Sequence, residues 1–531
     1  MRGAPTTFNL ADLWEAVEPL VADRTALIVD DRVSTFAELE ERSNRLADHL
    51  TSLGLGPGDH VGCYLYNGPE YLETMLAAFK VRAVPVNINY RYGAQELGYL
   101  CRDADLQVLV HEVEFADQVE AVRDDLTVLR GSLSVGHGGS YEPVLAGGSP
   151  ERKAVERSDD DHYIVYTGGT TGMPKGVVWR HEDAFYACFG GGDWTRRDPI
   201  QHPAEINERI QETPIKLFAL APLMHGAAQW LIYGILLAGG TGVLTASRPS
   251  TDYKQVWRLI TRHGVNILTI TGDAVARPLV DEYRSGRDRE GYDASTLSRI
   301  GSGAAPLSPA ARADLEETFH NVTVSDGYGA SETGAQAGNL GDGRFRSYDS
   351  QTVVLDPETL EPVSPGSGCQ GRVARRGHIP LCYYNDPDKT AETFVEHDGV
   401  RWVLTGDVAT VGEDGTISLL GRGSLCINTG GEKVFPEEVE AVLVGHPDVY
   451  DAVVVGVADP RWGQKVAAVV QLAPGGACDS AALDARCRER LAGYKVPRAW
   501  TFVDRVRRSP SGKADYGWAR EVATAVTRPP C

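Results

Sequence analysis

The sequence lacks the marks of several protein classes. Its nine cysteines contain no C-x-x-C pair, so neither a zinc ribbon nor a thioredoxin-like centre is signalled, and an odd count argues against a disulfide framework. Basic residues are not in excess: 52 Lys and Arg against 73 Asp and Glu leave a formal charge of −21. General nucleic-acid or anionic-membrane binding needs a basic face and is excluded, although local basic spots can still hold a phosphorylated ligand. No long hydrophobic run is present. The longest apolar stretch, Ala227 to Ala238, contains Gln229 and Gly234 and is too short to span a bilayer. The start, Met1-Arg2-Gly3-Ala4-Pro5-Thr6-Thr7, lacks the apolar segment of a signal peptide. No basic amphipathic segment demands a membrane surface, and peripheral contact stays open. What is present is ordinary globular composition, 42% hydrophobic and 24% charged, over 531 residues. That length is too great for one core and divides into about three or four packed units. The expectation is a cytoplasmic protein without a transmembrane segment, its state as monomer or homodimer undetermined.

Between Asp161 and Val324, short apolar runs alternate with helical periodicity. Tyr163–Tyr166, Leu217–Leu220, Val265–Ile270 and Val322–Val324 read as strands, Ala227–Ala238 as a buried helix and Asp252–His263 as an amphipathic helix stopped by Gly264. Ser308 and Pro309 form an N-cap and first-turn proline. Thr35–Leu53 and Gly68–Val81, with a strand at Val61–Leu65, extend the alternation upstream. The pattern predicts a layered α/β fold with a largely parallel sheet. From Gly371 the texture becomes β-rich, with strands at Trp402–Leu404, Val408–Val411 and Ile417–Leu420 and a turn at Glu413-Asp414-Gly415. A fresh unit follows Gly421-Arg422-Gly423-Ser424, large enough for its own core. The expected division is residues 1–421, a hinge at 422–424, and 425–531.

The strongest local signal is Tyr166-Thr167-Gly168-Gly169-Thr170-Thr171-Gly172-Met173-Pro174-Lys175-Gly176. Glycines let the backbone turn its N–H groups toward an anion, threonine hydroxyls add donors and Lys175 adds a point charge. Such a loop can cradle a triphosphate. It is not a Walker A loop, since the G-K-[ST] ending is absent.

This loop resembles the phosphate loop of the adenylate-forming superfamily of acyl-CoA synthetases, luciferases and peptide-synthetase adenylation domains. Further segments match in order along essentially the whole chain: Pro222-Leu223-Met224-His225-Gly226, Gly301-Ser302-Gly303-Ala304-Ala305-Pro306, Asp326-Gly327-Tyr328-Gly329-Ala330-Ser331-Glu332-Thr333-Gly334, Thr405-Gly406-Asp407, Gly421-Arg422, Gly430-Gly431-Glu432, Pro436-Glu437-Glu438-Val439-Glu440 and Ser509-Pro510-Ser511-Gly512-Lys513. The resemblance implies a large N-terminal domain and a small mobile α+β C-terminal domain. It also implies ATP- and Mg²⁺-dependent conversion of a small-molecule carboxylic acid to acyl-AMP, then transfer to coenzyme A.

By the same resemblance, Thr167, Gly168, Gly169, Thr170, Thr171, Gly172, Lys175 and Ser331 contact the ATP phosphates. Gly303, Ala304, Ala305, Asp326, Gly327 and Tyr328 surround adenine, while Asp407 and Arg422 hold the ribose. A carboxylate suits Mg²⁺ with phosphates and waters completing its octahedron, and Glu332 is expected to supply it. Lys513 corresponds to the adenylation lysine, a long flexible ammonium on a domain that must leave before coenzyme A enters. His225 corresponds to a gate residue, with positioning favoured over general-base work because the carboxylate is already ionised at neutral pH. Gly430 and Gly431 border the pantetheine channel after domain rotation, and Ser424 stands at the hinge where relatives carry Asp or Lys.

Met224-His225 stands where amino-acid activators carry an Asp for the substrate ammonium, which disfavours α-amino acids. Gly301, Trp230 and Tyr233, with Phe185, Phe189, Gly190–Gly192 and Trp194, read either as an apolar acyl pocket or as ordinary core. The loop with Trp179-Arg180-His181 behind it, and Cys426 to Val434, most resemble bacterial fatty-acid and steroid side-chain CoA ligases. Transfer to a carrier protein or an amine, and activation of an aryl or other biosynthetic acid, remain as alternatives. A nucleotide-binding regulator without turnover is disfavoured by the retained Glu332, Asp407 and Lys513. A serine hydrolase is disfavoured because Gly329-Ala330-Ser331-Glu332-Thr333 lacks the last glycine of a nucleophile elbow.

Overall fold

A computed structural model describes residues 4–167, 173–193, 198–246, 251–305, 307–339, 341, 343–429, 432–459, 461–508 and 513–527. Two large sheets organise the N-terminal part. One has seven strands in the order Cys382–Tyr383, Lys175–Arg180, His162–Thr167, Val84–Asn87, His60–Tyr64, Leu106–Glu112 and Gly131–Val135. The other has nine, in the order Arg346–Ser347, Gly334–Asn339, Thr323–Ala330, Arg299–Ser302, Ile267–Ile270, Lys216–Ala219, Thr241–Leu244, Thr25–Val29 and Arg32–Thr35. Their central strands are parallel, and antiparallel partners lie toward the ends.

Side-chain alternation explains how both sheet faces become buried. Leu27, Val29, Leu217 and Ala219 enter one core, while Ile28 and Phe218 enter another. In the seven-stranded sheet Tyr163 and Val165 join the first core, and Ile164 and Tyr166 face a third. The first core is therefore shared by both sheets, together with helices Leu10–Val21, Phe36–Ser52, Pro69–Lys80 and Gly226–Leu237. Helices Tyr253–His263, Gly272–Gly286 and Pro309–Thr318 cover the other face of the nine-stranded sheet, and Ala94–Asp103 covers that of the seven-stranded one. The result is a layered α/β architecture, as the sequence pattern predicts. The helix ends follow local chemistry. Asp252 caps Lys254 and Gln255, Gly264 stops the same helix at φ 63°, and Ser308 accepts from the Ala311 N–H ahead of Pro309.

Two strands run longer than expected, and both carry site residues. Thr323–Ala330 continues past Val324 because Gly334–Asn339 pairs with it antiparallel, overriding the turn-prone Asp326-Gly327. Val400–Val411 is one strand rather than two, since Gln370–Arg375 and Ile417–Arg422 bracket it across Thr405-Gly406-Asp407. These pairings place Asp326, Tyr328 and Asp407 on sheet rather than loop.

From Ile427 a separate sheet forms in the order Glu432–Val434, Ile427–Thr429, Gly463–Leu472 and Val449–Asp459, with Ala499–Phe502 parallel to Gly463–Leu472. Ala452 and Val454 face helices Pro436–Val444 and Ser480–Arg490; Val453, Val455 and Val457 face helix Tyr516–Thr527. Among the described residues, neither of these two cores includes anything before Ile427. Contact with the N-terminal part includes Arg277, whose guanidinium lies 5.3 Å from the Tyr450 ring centroid. Among the described residues no helix is long and apolar enough to cross a membrane.

Candidate active site

Four of the expected site segments follow the carboxyl ends of parallel strands, where open α/β sheets place their ligands. His162–Thr167 delivers the glycine-threonine segment, Lys216–Ala219 leads to His225, Arg299–Ser302 leads to Gly303, and Thr323–Ala330 leads to Glu332. Gly168, Gly169, Thr170, Thr171 and Gly172 lie outside the described residues, as do Gly430, Gly431 and Trp194, and the Ser424 side chain is likewise outside them. The stem of the loop is defined: Thr167 pairs with Lys175 across an antiparallel hairpin. Lys175 Nζ donates to Asp386 Oδ2 at 2.6 Å and lies 5.6 Å from the Tyr383 ring centroid. Trp179 Nε1 donates to the Ser331 carbonyl at 3.1 Å, joining that stem to the Glu332 segment.

His225 occupies the N-cap position of helix Gly226–Leu237, and its Nε2 is buried with no hydrogen-bond partner among the described residues. Burial, with Lys513 and Arg91 nearby, lowers its pKa to about 4. The imidazole is therefore neutral at pH 7, which fits a positioning group better than a cation. The turn before it is tightly built. Asn87 Nδ2 donates to the carbonyls of Met224 (2.7 Å) and Tyr166 (2.8 Å), and Asn87 Oδ1 accepts from the Tyr166 N–H at 2.7 Å. Asn67 Oδ1 accepts from the Leu223 N–H, and Gln229 Nε2 donates to the Leu223 carbonyl.

Across the cleft, Asp407 has both carboxylate oxygens engaged. Tyr328 Oη donates to Oδ2 at 2.7 Å, and Arg422 Nε lies 3.2 Å from Oδ1. Asp407 and Arg422 are cross-strand partners, so sheet register fixes the pair. Asp326 is buried, which raises its pKa to about 7 against the opposing charge of Arg312. Gly301, Gly303 and Gly327 leave room: a Cβ at any of them would meet no atom closer than 3.5 Å. Ala304 takes the left-handed conformation at φ 63°, unusual for a residue with a Cβ, and turns the chain there before Ala305.

Lys513 reaches this cleft from the C-terminal part. Next to it Ala514 bridges to Arg508, which forms a two-pronged pair with Asp451 at 2.7 and 2.6 Å. The residue keeps an exposed surface, yet the surrounding protein and the Arg422 charge lower its pKa, while Glu332 and Asp407 oppose that change. Lys513 and His225 thus feel each other across two cores that share no residue. We expect the His225 imidazole, followed by NMR, to titrate near pH 4 rather than at its usual value. Lys513→Ala should move that midpoint upward by removing a cation. An unchanged midpoint would place the two groups out of electrostatic reach.

The expected acyl pocket needs correction. Tyr233 is fully buried, donates to the Leu10 carbonyl at 3.0 Å and packs against Phe79 and Phe189. Phe185 and Phe189 belong to the same core. Helix Gly226–Leu237 is apolar nearly all round, so aromatic spacing along it could not separate lining from core. Trp230 is buried against Gly226, directly behind His225. At Gly301 a Cβ would sit in ordinary contact with the Thr269 methyl at 3.8 Å and Ser325 Oγ at 3.9 Å. Asn67, Asn87, Tyr383 and Asp386 were missed: each is a single polar residue whose partner lies far away in sequence.

A family model described as "AMP-binding enzyme" matches residues 14–384, and one described as "AMP-binding enzyme C-terminal domain" matches residues 438–513. A Mycobacterium tuberculosis (strain CDC 1551 / Oshkosh) protein named medium/long-chain-fatty-acid–CoA/3-oxocholest-4-en-26-oate–CoA ligase is 46% identical, covering 97% of this chain and 96% of its own. A Rhodococcus rhodochrous 3-oxocholest-4-en-26-oate–CoA ligase is 44% identical over 97% of this chain and 95% of its own. Among solved structures, an anthranilate CoA ligase in complex with anthranoyl-AMP superposes with a TM-score of 0.85 at 26% identity, covering 99% of both chains. With its two sheets, its separate C-terminal core and matches over both parts, the chain belongs to the AMP-binding enzyme family.

Proposed function

We propose that this chain joins medium- to long-chain fatty acids or steroid side-chain acids to coenzyme A. The enzyme is an AMP-forming acid–thiol ligase. In the first step a carboxylate oxygen attacks the α-phosphorus of ATP; an O–P bond forms, the bond to the β-phosphate breaks, and pyrophosphate leaves. In the second the coenzyme A sulfur attacks the acyl carbon; a C–S bond forms, AMP leaves, and the thiol proton passes to solvent. The observation that carries this reading is the convergence of Lys513 with His225, Glu332 and Asp407 on one cleft. The relatives named for fatty-acid and steroid acids support the substrate class.

Positioning and countercharge do most of the work when phosphate charge is rearranged. Lys513 would neutralise charge on the carboxylate and α-phosphate as they meet. Neutral His225 would set the approach of the acid without competing for its proton. Thr167, Lys175 and Ser331, with Gly168, Gly169, Thr170, Thr171 and Gly172, would hold the phosphates; Lys175 would exchange Asp386 for them. Tyr328, with Gly303, Ala304, Ala305, Asp326 and Gly327, would flank adenine, and Asp407 and Arg422 the ribose. Glu332 fits a divalent cation: a carboxylate on the cleft with one oxygen taken by Tyr383 and no hydrogen bond to the other among the described residues. Mg²⁺ bound there would offset phosphate charge.

The C-terminal unit, residues 425–531, would then turn about 422–424. That motion withdraws Lys513 and brings Gly430 and Gly431 to the coenzyme A channel. We place the enzyme in the cytoplasm, where ATP and coenzyme A are available. The test is mass-spectrometric detection of acyl-CoA from ATP, Mg²⁺, coenzyme A and a panel holding dodecanoate, palmitate, 3-oxocholest-4-en-26-oate and benzoate. Thioester from the fatty or steroid acids is expected. Adenylate that transfers only to a phosphopantetheinyl carrier or an amine would favour the alternative acceptors, and turnover of benzoate alone would favour an aryl acid.

A further inference from the structure

One short segment holds both charged side chains that the reading above assigns to the metal and phosphate ends of ATP. Tyr383 Oη donates to Glu332 Oε1 at 2.8 Å. Three residues later, Asp386 Oδ2 accepts from Lys175 Nζ, whose ammonium also lies over the Tyr383 ring. Glu332 and Tyr383 are 51 residues apart in sequence, and Lys175 and Asp386 are 211 apart.

The segment has little freedom to drift. Cys382–Tyr383 pairs antiparallel with Val177 and Val178, so it is an edge strand of the seven-stranded sheet beside the phosphate-loop stem. The Leu381 and Tyr384 N–H groups donate to the carbonyls of Val178 and Gly176, each at 2.7 Å. The Tyr383 N–H donates to Thr390 Oγ1 at 3.0 Å, and Asp386 caps the helix Pro387–Thr393 through the Lys389 N–H. The Tyr383 ring itself is buried edge-on against Phe394, centroids 5.7 Å apart. Its hydroxyl is therefore a fixed donor, and a carboxylate that accepts from it has one oxygen pinned.

We infer that Tyr383 is a positioning residue, holding Glu332 Oε1 so that the carboxylate presents Oε2 to the divalent cation of metal–ATP. A glutamate side chain has three rotatable bonds; a fixed donor on one oxygen selects the orientation before the ligand arrives. Outer partners of ligating carboxylates act in this way, and their loss typically weakens metal affinity by about 10–100-fold. The inference rests on the proposed role of Glu332 as metal ligand.

Calorimetric titration of ATP into the full-length protein, without acid or coenzyme A, tests it. Tyr383→Phe keeps the ring and its packing and removes only the hydroxyl. Titrated in Mg²⁺, this variant is expected to bind ATP about tenfold more weakly than the parent protein. Titrated in EDTA, the two should agree within about twofold, on the same expectation of a loss confined to the metal. Glu332→Gln should lose the benefit of Mg²⁺, and adding Tyr383→Phe to it should cost nothing further. Equal weakening of Tyr383→Phe in Mg²⁺ and EDTA would make Tyr383 a merely structural residue and overturn the inference. Unchanged binding in Mg²⁺, with Glu332→Gln impaired, would overturn it while sparing the role of Glu332. An unimpaired Glu332→Gln would remove both.

Discussion

Lys513→Ala is expected to slow acyl-adenylate formation by about a hundredfold or more, the loss typical when one charged partner of a developing transition state is deleted. Conversion of supplied acyl-AMP to thioester should keep most of its rate. The asymmetry follows from where the lysine sits. Its ammonium shares a cleft with His225, Glu332, Asp407 and Arg422, although it is carried by a part of the chain with its own sheet and cores. The surrounding protein and Arg422 lower its pKa, and Glu332 and Asp407 offset that only in part. Phosphates arriving there would favour the charged form further. The half-reactions are separable by measuring acid-dependent pyrophosphate release and, independently, AMP release from acyl-AMP with coenzyme A. Equal damage to both would refute the division of labour between the two steps.

The second large effect is on stability. Glu40→Ala is expected to destabilise the N-terminal part by about 3–5 kcal/mol, the usual cost of stranding buried charge. Glu40 is 6% exposed, on the inner face of helix Phe36–Ser52. Its Oε2 accepts from Lys80 Nζ at 2.8 Å and Trp14 Nε1 at 2.6 Å; Oε1 accepts from Asn44 Nδ2 and pairs with Arg152. Burial alone would raise its pKa, but Lys80 and Arg152 outweigh burial and hold it down to about 2. A carboxyl depressed in the folded state stabilises it above the unfolded pKa, near 4.5, and that contribution fades as pH falls toward 2. Removing the side chain leaves the buried ammonium of Lys80 with Glu15, at 3.1 Å, as its one carboxylate among the described residues, and takes from Arg152 one of the two carboxylates it pairs with there. Urea unfolding of parent and variant measures the difference, and a change below about 1 kcal/mol would mean the network contributes little, as exposed pairs do.

How far the sequence could be read depended on whether the informative residues are neighbours in the chain. The layers were legible because Tyr163–Tyr166, Leu217–Leu220 and Val265–Ile270 are short apolar runs separated by helical periodicity, and because Asp252, Gly264, Ser308 and Pro309 mark helix ends locally. The glycine-threonine sequence and the Asp326–Gly334 segment were legible because their chemistry is concentrated in a few consecutive positions. Strand extents were not, since pairing with distant Gly334–Asn339 carried Thr323–Ala330 through a turn-prone stretch. Nor were Asn87 and Tyr383, ordinary polar residues whose meaning comes from Met224, Tyr166 and Glu332 being brought to them. Tyr233 was misjudged for the opposite reason. In a helix apolar nearly all round, an aromatic residue carries no sign of whether it faces a ligand or another helix.

The most direct measurement is acid-dependent exchange of labelled pyrophosphate into ATP without coenzyme A. The account predicts exchange with a medium- or long-chain fatty acid or a steroid side-chain acid, dependent on Mg²⁺ and nearly lost in Lys513→Ala. Failure of every acid in the panel to drive exchange by the parent protein would contradict it.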